Sequence, residues 1–187
     1  MQDRLRGHIE KVVALTDEEF AFISSHFTTR KYKRKEYLFQ QGDDVTHVYF
    51  VNSGLMMLTY DDDSGKQHVL SFAMEDWWET DFYAFLSGVK ATMSLSCLED
   101  TEVLCLPLDG YRALCSGLRK MEHLFLEKAN RGHIASQQRI LAFITSDARA
   151  RYEKLLAQYP TLFQRVPKTL LASYLGVSRE TLSRLSP

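Results

Sequence analysis

The sequence contains no apolar run near the roughly 18–20 residues that would cross a bilayer. Its charged opening, Met1-Gln2-Asp3-Arg4-Leu5-Arg6, leads into no long apolar segment that would read as a signal peptide. These two absences make the cytoplasm the expected address and a membrane an unexpected partner. Cysteine is scarce: Cys97, Cys105 and Cys115 stand eight and ten positions apart with no Cys-x-x-Cys pair. That pattern excludes a disulfide framework, a zinc site of the usual spacing and an iron–sulfur cluster, and leaves small buried residues as the expected role. The six histidines (His8, His26, His47, His68, His123, His133) show no metal-ligand spacing and no His-x-His. No Ser/His/Asp or Cys/His arrangement stands out either, so an enzyme is not expected and no metal or cofactor is assigned. Internal repeats and low-complexity segments are also missing.

What is present is ordinary globular material, 45% hydrophobic and 25% charged, with an uneven distribution of charge. Residues 1–107 carry 10 Lys and Arg against 18 Asp and Glu, whereas residues 108–187 carry 13 against 6. A basic C-terminal end suits a polyanion, and the acidic end must serve something else.

Thr16-Asp17-Glu18-Glu19 is a capping-box pattern before a short helix. From about Tyr32 to Leu106 the chain reads as many short strands. They include Tyr37–Phe39, His47–Ser53, Leu55–Tyr60, His68–Ala73, Met93–Leu98 and Glu102–Leu106. Turn signals at Gln41-Gly42-Asp43-Asp44, Ser53-Gly54 and Asp61–Lys66 separate several of them. This spacing predicts a jelly roll or small barrel. The basic run Arg30–Lys35 precedes it and is read as a solvated edge that discourages strand pairing.

After Pro107 the period turns helical. Leu118, Met121, Phe125, Ala129, Gly132, Ser136, Ile140 and Phe143 step by three or four, a stripe longer than a typical globular helix needs. Either this helix packs on its own roll or it forms a seam with a second chain, and its length favours the seam. Thr145-Ser146-Asp147 offers a fresh N-cap, so a second helix is expected over 148–158, closed by Tyr159-Pro160.

The last segment, Val166 to Leu185, carries the chemistry. Pro167 suits a helix start. Leu170, Leu171 and Leu175 give an apolar face, Ala172 allows a close crossing, and Gly176 can stop the helix with positive φ. Ser178 then caps a second helix whose Leu182 and Leu185 point inward. Two short helices on a tight glycine turn make a helix-turn-helix. A plain αα-hairpin finishing the core would not need Arg179, Glu180 and Arg184 outside, although Glu180–Arg184 could be a mere surface pair.

Ser178-Arg179-Glu180-Thr181-Leu182-Ser183-Arg184 resembles the recognition helix of the Crp/Fnr superfamily of transcription regulators. Gly42-Asp43 and Phe50-Val51-Asn52-Ser53-Gly54 are similar to that family's β-roll turns. The resemblance covers nearly the whole chain and implies an α+β protein in three parts. These are a cyclic-nucleotide-binding-like β-roll over 1–118, a long dimerisation helix over 119–145 and a helix-turn-helix domain over 146–187. It implies double-stranded DNA as the partner of a homodimer joined through 118–144, with RNA polymerase as a further candidate partner. In the branch that senses cyclic AMP, residues matching Arg179, Glu180 and Arg184 contact bases. Arg can hold guanine O6 and N7 together, and Glu can accept from cytosine N4. Lys168, Ser178 and Thr181 are assigned to phosphates.

Two departures qualify the resemblance. The family's phosphate cassette has Gly-Glu and then Arg with a small residue. Here Glu79-Thr80 stand at Gly-Glu, and Ala91 falls near the Arg position with Lys90 beside it. The segment is crowded with negative charge, which repels a phosphate. Cyclic AMP is therefore not expected in its usual seat. Trp77, Trp78, Glu79, Thr80, Phe82, Lys90 and Ala91 remain the candidate lining for an unknown, more apolar effector, or simply core and lid packing. The chain also stops at Ser186-Pro187, where family members continue into a β-hairpin wing. The rival class is a ligand-binding regulatory module without sequence-specific DNA binding, which leaves Ser178–Arg184 unexplained.

Overall fold

The structure, a computed structural model, describes residues 3–185. Met1, Gln2, Ser186 and Pro187 lie outside them, and with the last two the point at which a wing is expected to be missing. Two compact units are present, Met1–Glu127 and Lys128–Pro187, and the division falls inside a single helix, α5 (Arg119–Thr145).

The first unit opens with α1 (Asp3–Glu10) and α2 (Asp17–Ser24). The capping box is made in both directions. Glu19 N–H donates to Thr16 Oγ1 at 3.2 Å, and Thr16 N–H donates to the Glu19 carboxylate at 2.8 Å. Eight strands follow: β1 (Thr28–Tyr32), β2 (Tyr37–Phe39), β3 (His47–Ser53), β4 (Met56–Asp61), β5 (Gln67–Ala73), β6 (Trp78–Glu79), β7 (Ser94–Cys97) and β8 (Thr101–Pro107). Helix α3 (Phe82–Ser87) sits between β6 and β7. The strands form two antiparallel sheets, β1-β8-β3-β6 and β2-β7-β4-β5. This is the expected roll. Buried residues of both sheets, among them Val48, Phe50, Leu58, Leu95, Leu104 and Leu106, close its core with α4 (Leu108–Gly117) and the first turns of α5.

The basic run departs from the expectation. Its first three residues, Arg30–Tyr32, belong to β1, which pairs with β8 from Thr28↔Cys105 to Tyr32↔Thr101. Thr28, Thr29 and Tyr32 are good strand formers, and the charges sit on an edge strand whose other side is unpaired. The Gly54 turn is as demanding as its motif suggests. Gly54 has φ +101°, and a Cβ there would meet Asp100 O at 2.7 Å. Only glycine accepts both conditions.

In the second unit α5 ends at Thr145, and the Asp147 carboxylate caps α6 (Ala148–Gln158) by accepting from Ala150 N–H at 2.8 Å. Pro160 does more than end α6. It starts a further short helix, α7 (Pro160–Arg165), because proline is at home in a first helical turn. Helices α8 (Lys168–Leu175) and α9 (Arg179–Leu185) complete the unit. No helix among the described residues is long and apolar enough to cross a membrane.

Candidate nucleic-acid interface

Helix α8 ends at Gly176, whose φ of +66° turns the chain. Val177 N–H closes back on Ala172 O at 3.0 Å. Ser178 then caps α9, with Thr181 N–H donating to Ser178 Oγ at 3.1 Å. Leu171, Ala172, Leu175 and Leu182 are buried where the two helices meet, and Leu170 and Leu185 are half-buried. With Leu182 fixed inward, helical geometry places Arg179, Glu180, Ser183 and Arg184 within an arc of about 140° that begins about 60° round from it. All four are exposed, as are Ser178 and Lys168, while Thr181 is half-buried.

Charge suits this face to an anionic surface. Residues 128–187 hold 10 Lys and Arg against 3 Asp and Glu. Glu180, in the first turn of α9, has its pKa lowered by its own backbone N–H and by Ser178, with Arg179 and Arg184 adding to the effect. It therefore stays an acceptor, the form required to receive a base amino group.

Neighbouring side chains of the effector segment face different ways. Trp78 and Glu79 are consecutive residues of β6, paired with Phe50 and Tyr49 of β3, and successive strand residues face opposite ways. Trp78 turns toward the helices. Its indole N–H donates to His8 Nε2 at 3.2 Å, and its ring lies 5.1 Å from Phe50 and 5.7 Å from Phe125. Glu79 turns the other way, accepting from Ser71 Oγ of β5 at 2.5 Å and from Thr80 N–H at 3.1 Å. Burial pushes its pKa up to about 7, against the lowering effect of those two donors. Thr80 is buried and donates to His47 O at 2.9 Å. Trp77 is half-buried against the core, whereas Phe82 is 46% exposed. Lys90 is exposed and paired with Asp44 at 2.7 Å, and Ala91 is buried.

Sequence reasoning missed the residue that organises this segment. Asp81 is fully buried at the start of α3. Its carboxylate accepts from Ala84 N–H at 3.1 Å and from Thr92 N–H and Oγ1, both at 2.9 Å. Two backbone amides of this segment, those of Ala84 and Thr92, are therefore engaged by a side chain of the chain itself. The signal was available, since Asp before Phe82-Tyr83-Ala84 is an N-cap pattern. Among the described residues no group of three or more His, Cys, Asp or Glu could hold a metal ion.

Comparisons with known proteins fit this geometry. The cyclic nucleotide-binding domain family matches residues 29–117. The cyclic AMP receptor protein of Thermus thermophilus is 31% identical over 176 residues, 91% of this chain and 81% of that protein. The transcriptional activator protein Anr of Pseudomonas protegens is 25% identical over 170 residues, 83% of this chain and 68% of that one. Among solved structures, FixK2 from Bradyrhizobium japonicum has the same fold, with a TM-score of 0.73 over 85% of this chain and 82% of that one at 15% identity.

Proposed function

Because the chain belongs to the Crp/Fnr superfamily of transcription regulators, we propose that it binds double-stranded DNA as a homodimer. In this reading α9 enters the major groove. The observation that carries it is the outward face of α9, where Arg179, Glu180 and Arg184 are exposed together on a helix fixed from behind by buried Leu182. Arg179 and Arg184 would each hold a guanine edge, and Glu180 would accept from cytosine. Lys168, Ser178 and Thr181 would hold phosphates.

Selection from a random DNA library tests this directly. A two-fold protein places its recognition helices about 34–36 Å apart, so the expected product is an inverted repeat with half-sites one turn apart. Glu180→Ala should relax one base position per half-site, at a cost of about 1–3 kcal/mol in discrimination. Lys168→Ala should weaken all sequences alike and lower the salt slope by about one unit. Enrichment of no two-fold repeat at low salt would remove the main support for this function.

For the β-roll we propose a regulatory role that does not use a cyclic nucleotide in the usual seat. Glu79 stands where a glycine should leave room and Ala91 where an arginine should neutralise the phosphate. Asp81 already engages the amides of Ala84 and Thr92, and Lys90 is paired with Asp44. Calorimetry with cyclic AMP and cyclic GMP should show no stoichiometric binding at micromolar concentration. Sub-micromolar binding of either would overturn the placement of residues 75–92 against the cassette.

A further inference from the structure

The carbonyl groups at the end of α8 show how the helix-turn-helix is held. The glycine turn satisfies two of them, since Val177 N–H returns to Ala172 O and Gly176 N–H to Ser173 O. The next two, Tyr174 O and Leu175 O, are taken by arginines from far along the chain. Arg139 of α5 donates from Nη2 to Tyr174 O at 3.1 Å, and Arg151 of α6 donates from Nε to Leu175 O at 3.1 Å. Arg151 also donates from Nη1 to Ser146 O at 2.7 Å, just past the end of α5. Two helix C-termini, each carrying partial negative charge, thus meet at one guanidinium.

Aromatic rings complete the arrangement. The Arg139 guanidinium carbon lies 4.1 Å from the Tyr174 ring centroid and 5.4 Å from that of Phe143, and Arg151 lies 5.0 Å from the same Phe143 ring. Phe143 presses on the turn itself, since a Cβ at Gly176 would stand 2.8 Å from its ring. Arg139 and Phe143 are one helical turn apart on α5, so both reach the turn from the same helix face.

We propose that Arg139 and Arg151, with Phe143 between them, are positioning residues that fix the angle at which α9 is presented, without touching DNA themselves. The proposal deepens the DNA-binding reading and rests on it for its functional consequence. Its structural part stands alone. A guanidinium fork suits this task because one planar group can donate to two carbonyls and stack on a ring at once, which a lysine ammonium cannot do.

The test uses the full chain with Arg139→Ala, Arg139→Lys and Phe143→Leu. Amide hydrogen exchange is followed at Gly176–Arg184 and, as an internal reference, over the β-roll strands. Arg139→Ala is expected to speed exchange at Gly176–Arg184 about tenfold or more while leaving the roll unchanged. Arg139→Lys should give only partial rescue, and Phe143→Leu should act in the same direction if Arg139→Ala is poorly folded. Binding to the selected DNA should weaken about tenfold with an unchanged salt slope. A phosphate contact would instead lose about one unit of slope. Exchange at Gly176–Arg184 equal to wild type in both Arg139→Ala and Phe143→Leu, or a lowered salt slope, would overturn the proposal. Failure of the wild type to select any DNA would sink the DNA-binding reading alone, and the exchange result would still decide whether the arginines hold the turn.

Discussion

Ile140→Glu with Ile144→Glu should leave the chain monomeric at micromolar concentration in sedimentation, while its melting temperature as a monomer stays near that of a dilute wild type. The reason lies on α5. Only Met121, Leu124 and Phe125 of this helix are buried, although it runs for 27 residues. Leu126, Ile134, Ile140, Leu141 and Ile144 are exposed, Ile140 at 60% and Ile144 at 76%. At 100° per residue these five fall within an arc of about 120°, an apolar face interrupted by polar side chains. Leu126, Ile140 and Ile144 keep the three-and-four spacing of a paired helix, with Asn130, His133 and Gln137 at the intervening seam positions. Side chains this exposed contribute little to the fold of one chain, so their loss should act on association. Two-fold symmetry would set four new carboxylates against one another. Because the monomer loses the second half-site, affinity for an inverted repeat should fall about a hundredfold or more. A wild type that is already monomeric, or a double variant that stays dimeric, would refute the seam. Gly132→Glu with Ser136→Glu provides the contrast. Those residues lie roughly 120° round the helix, on the side where Phe143 meets the Gly176 turn.

The second large effect concerns Glu79 and runs opposite to most carboxylates. Its folded pKa of about 7 lies above the ordinary 4.5, so the folded state holds a proton that the unfolded chain releases. Stability from this group is fully present below about pH 4.5 and is lost as pH rises through about 7. The rise corresponds to about 3 kcal/mol. Glu79→Gln, which keeps the neutral form, should therefore be more stable than wild type at pH 8 and about equal to it at pH 4.5. His47, whose pKa burial depresses, loses stability in the other direction as pH falls. The difference between variant and wild type isolates Glu79. Thermal melts from pH 4.5 to 8 check this, and a difference that does not grow with pH would contradict it.

How much of this was legible in the sequence depended on the range of the interaction. The strands and turns of the roll, the break at Asp147 and the α8–Gly176–α9 motif are set by local chemistry, and local chemistry is what a sequence displays. The candidate effector lining, with core and lid packing as its alternative, groups Trp77, Trp78, Glu79 and Phe82 because they are neighbours in the chain. A strand of two residues is too short to show alternation, so nothing in the pattern revealed that Trp78 and Glu79 part company. The helical stripe was similarly blended. Phe143 and Gly132 keep helical spacing with Phe125 and Ile140, yet the structure shows that the exposed apolar face is centred elsewhere. Arg139 and Arg151 were invisible for a different reason. Their acceptors are backbone carbonyls 35 and 24 residues away, and a carbonyl carries no residue type to read.

The Asp81 carboxylate has one more consequence. A ligand that arrives from solution occupies its seat in proportion to its concentration, and the order it imposes follows that concentration by mass action. A side chain tethered beside the seat is present at a fixed and high effective concentration, unaffected by what the cell contains. The start of α3 and the loop to Thr92 are therefore organised by folding alone. A ligand seated there would first have to dislodge a carboxylate that accepts from three donors.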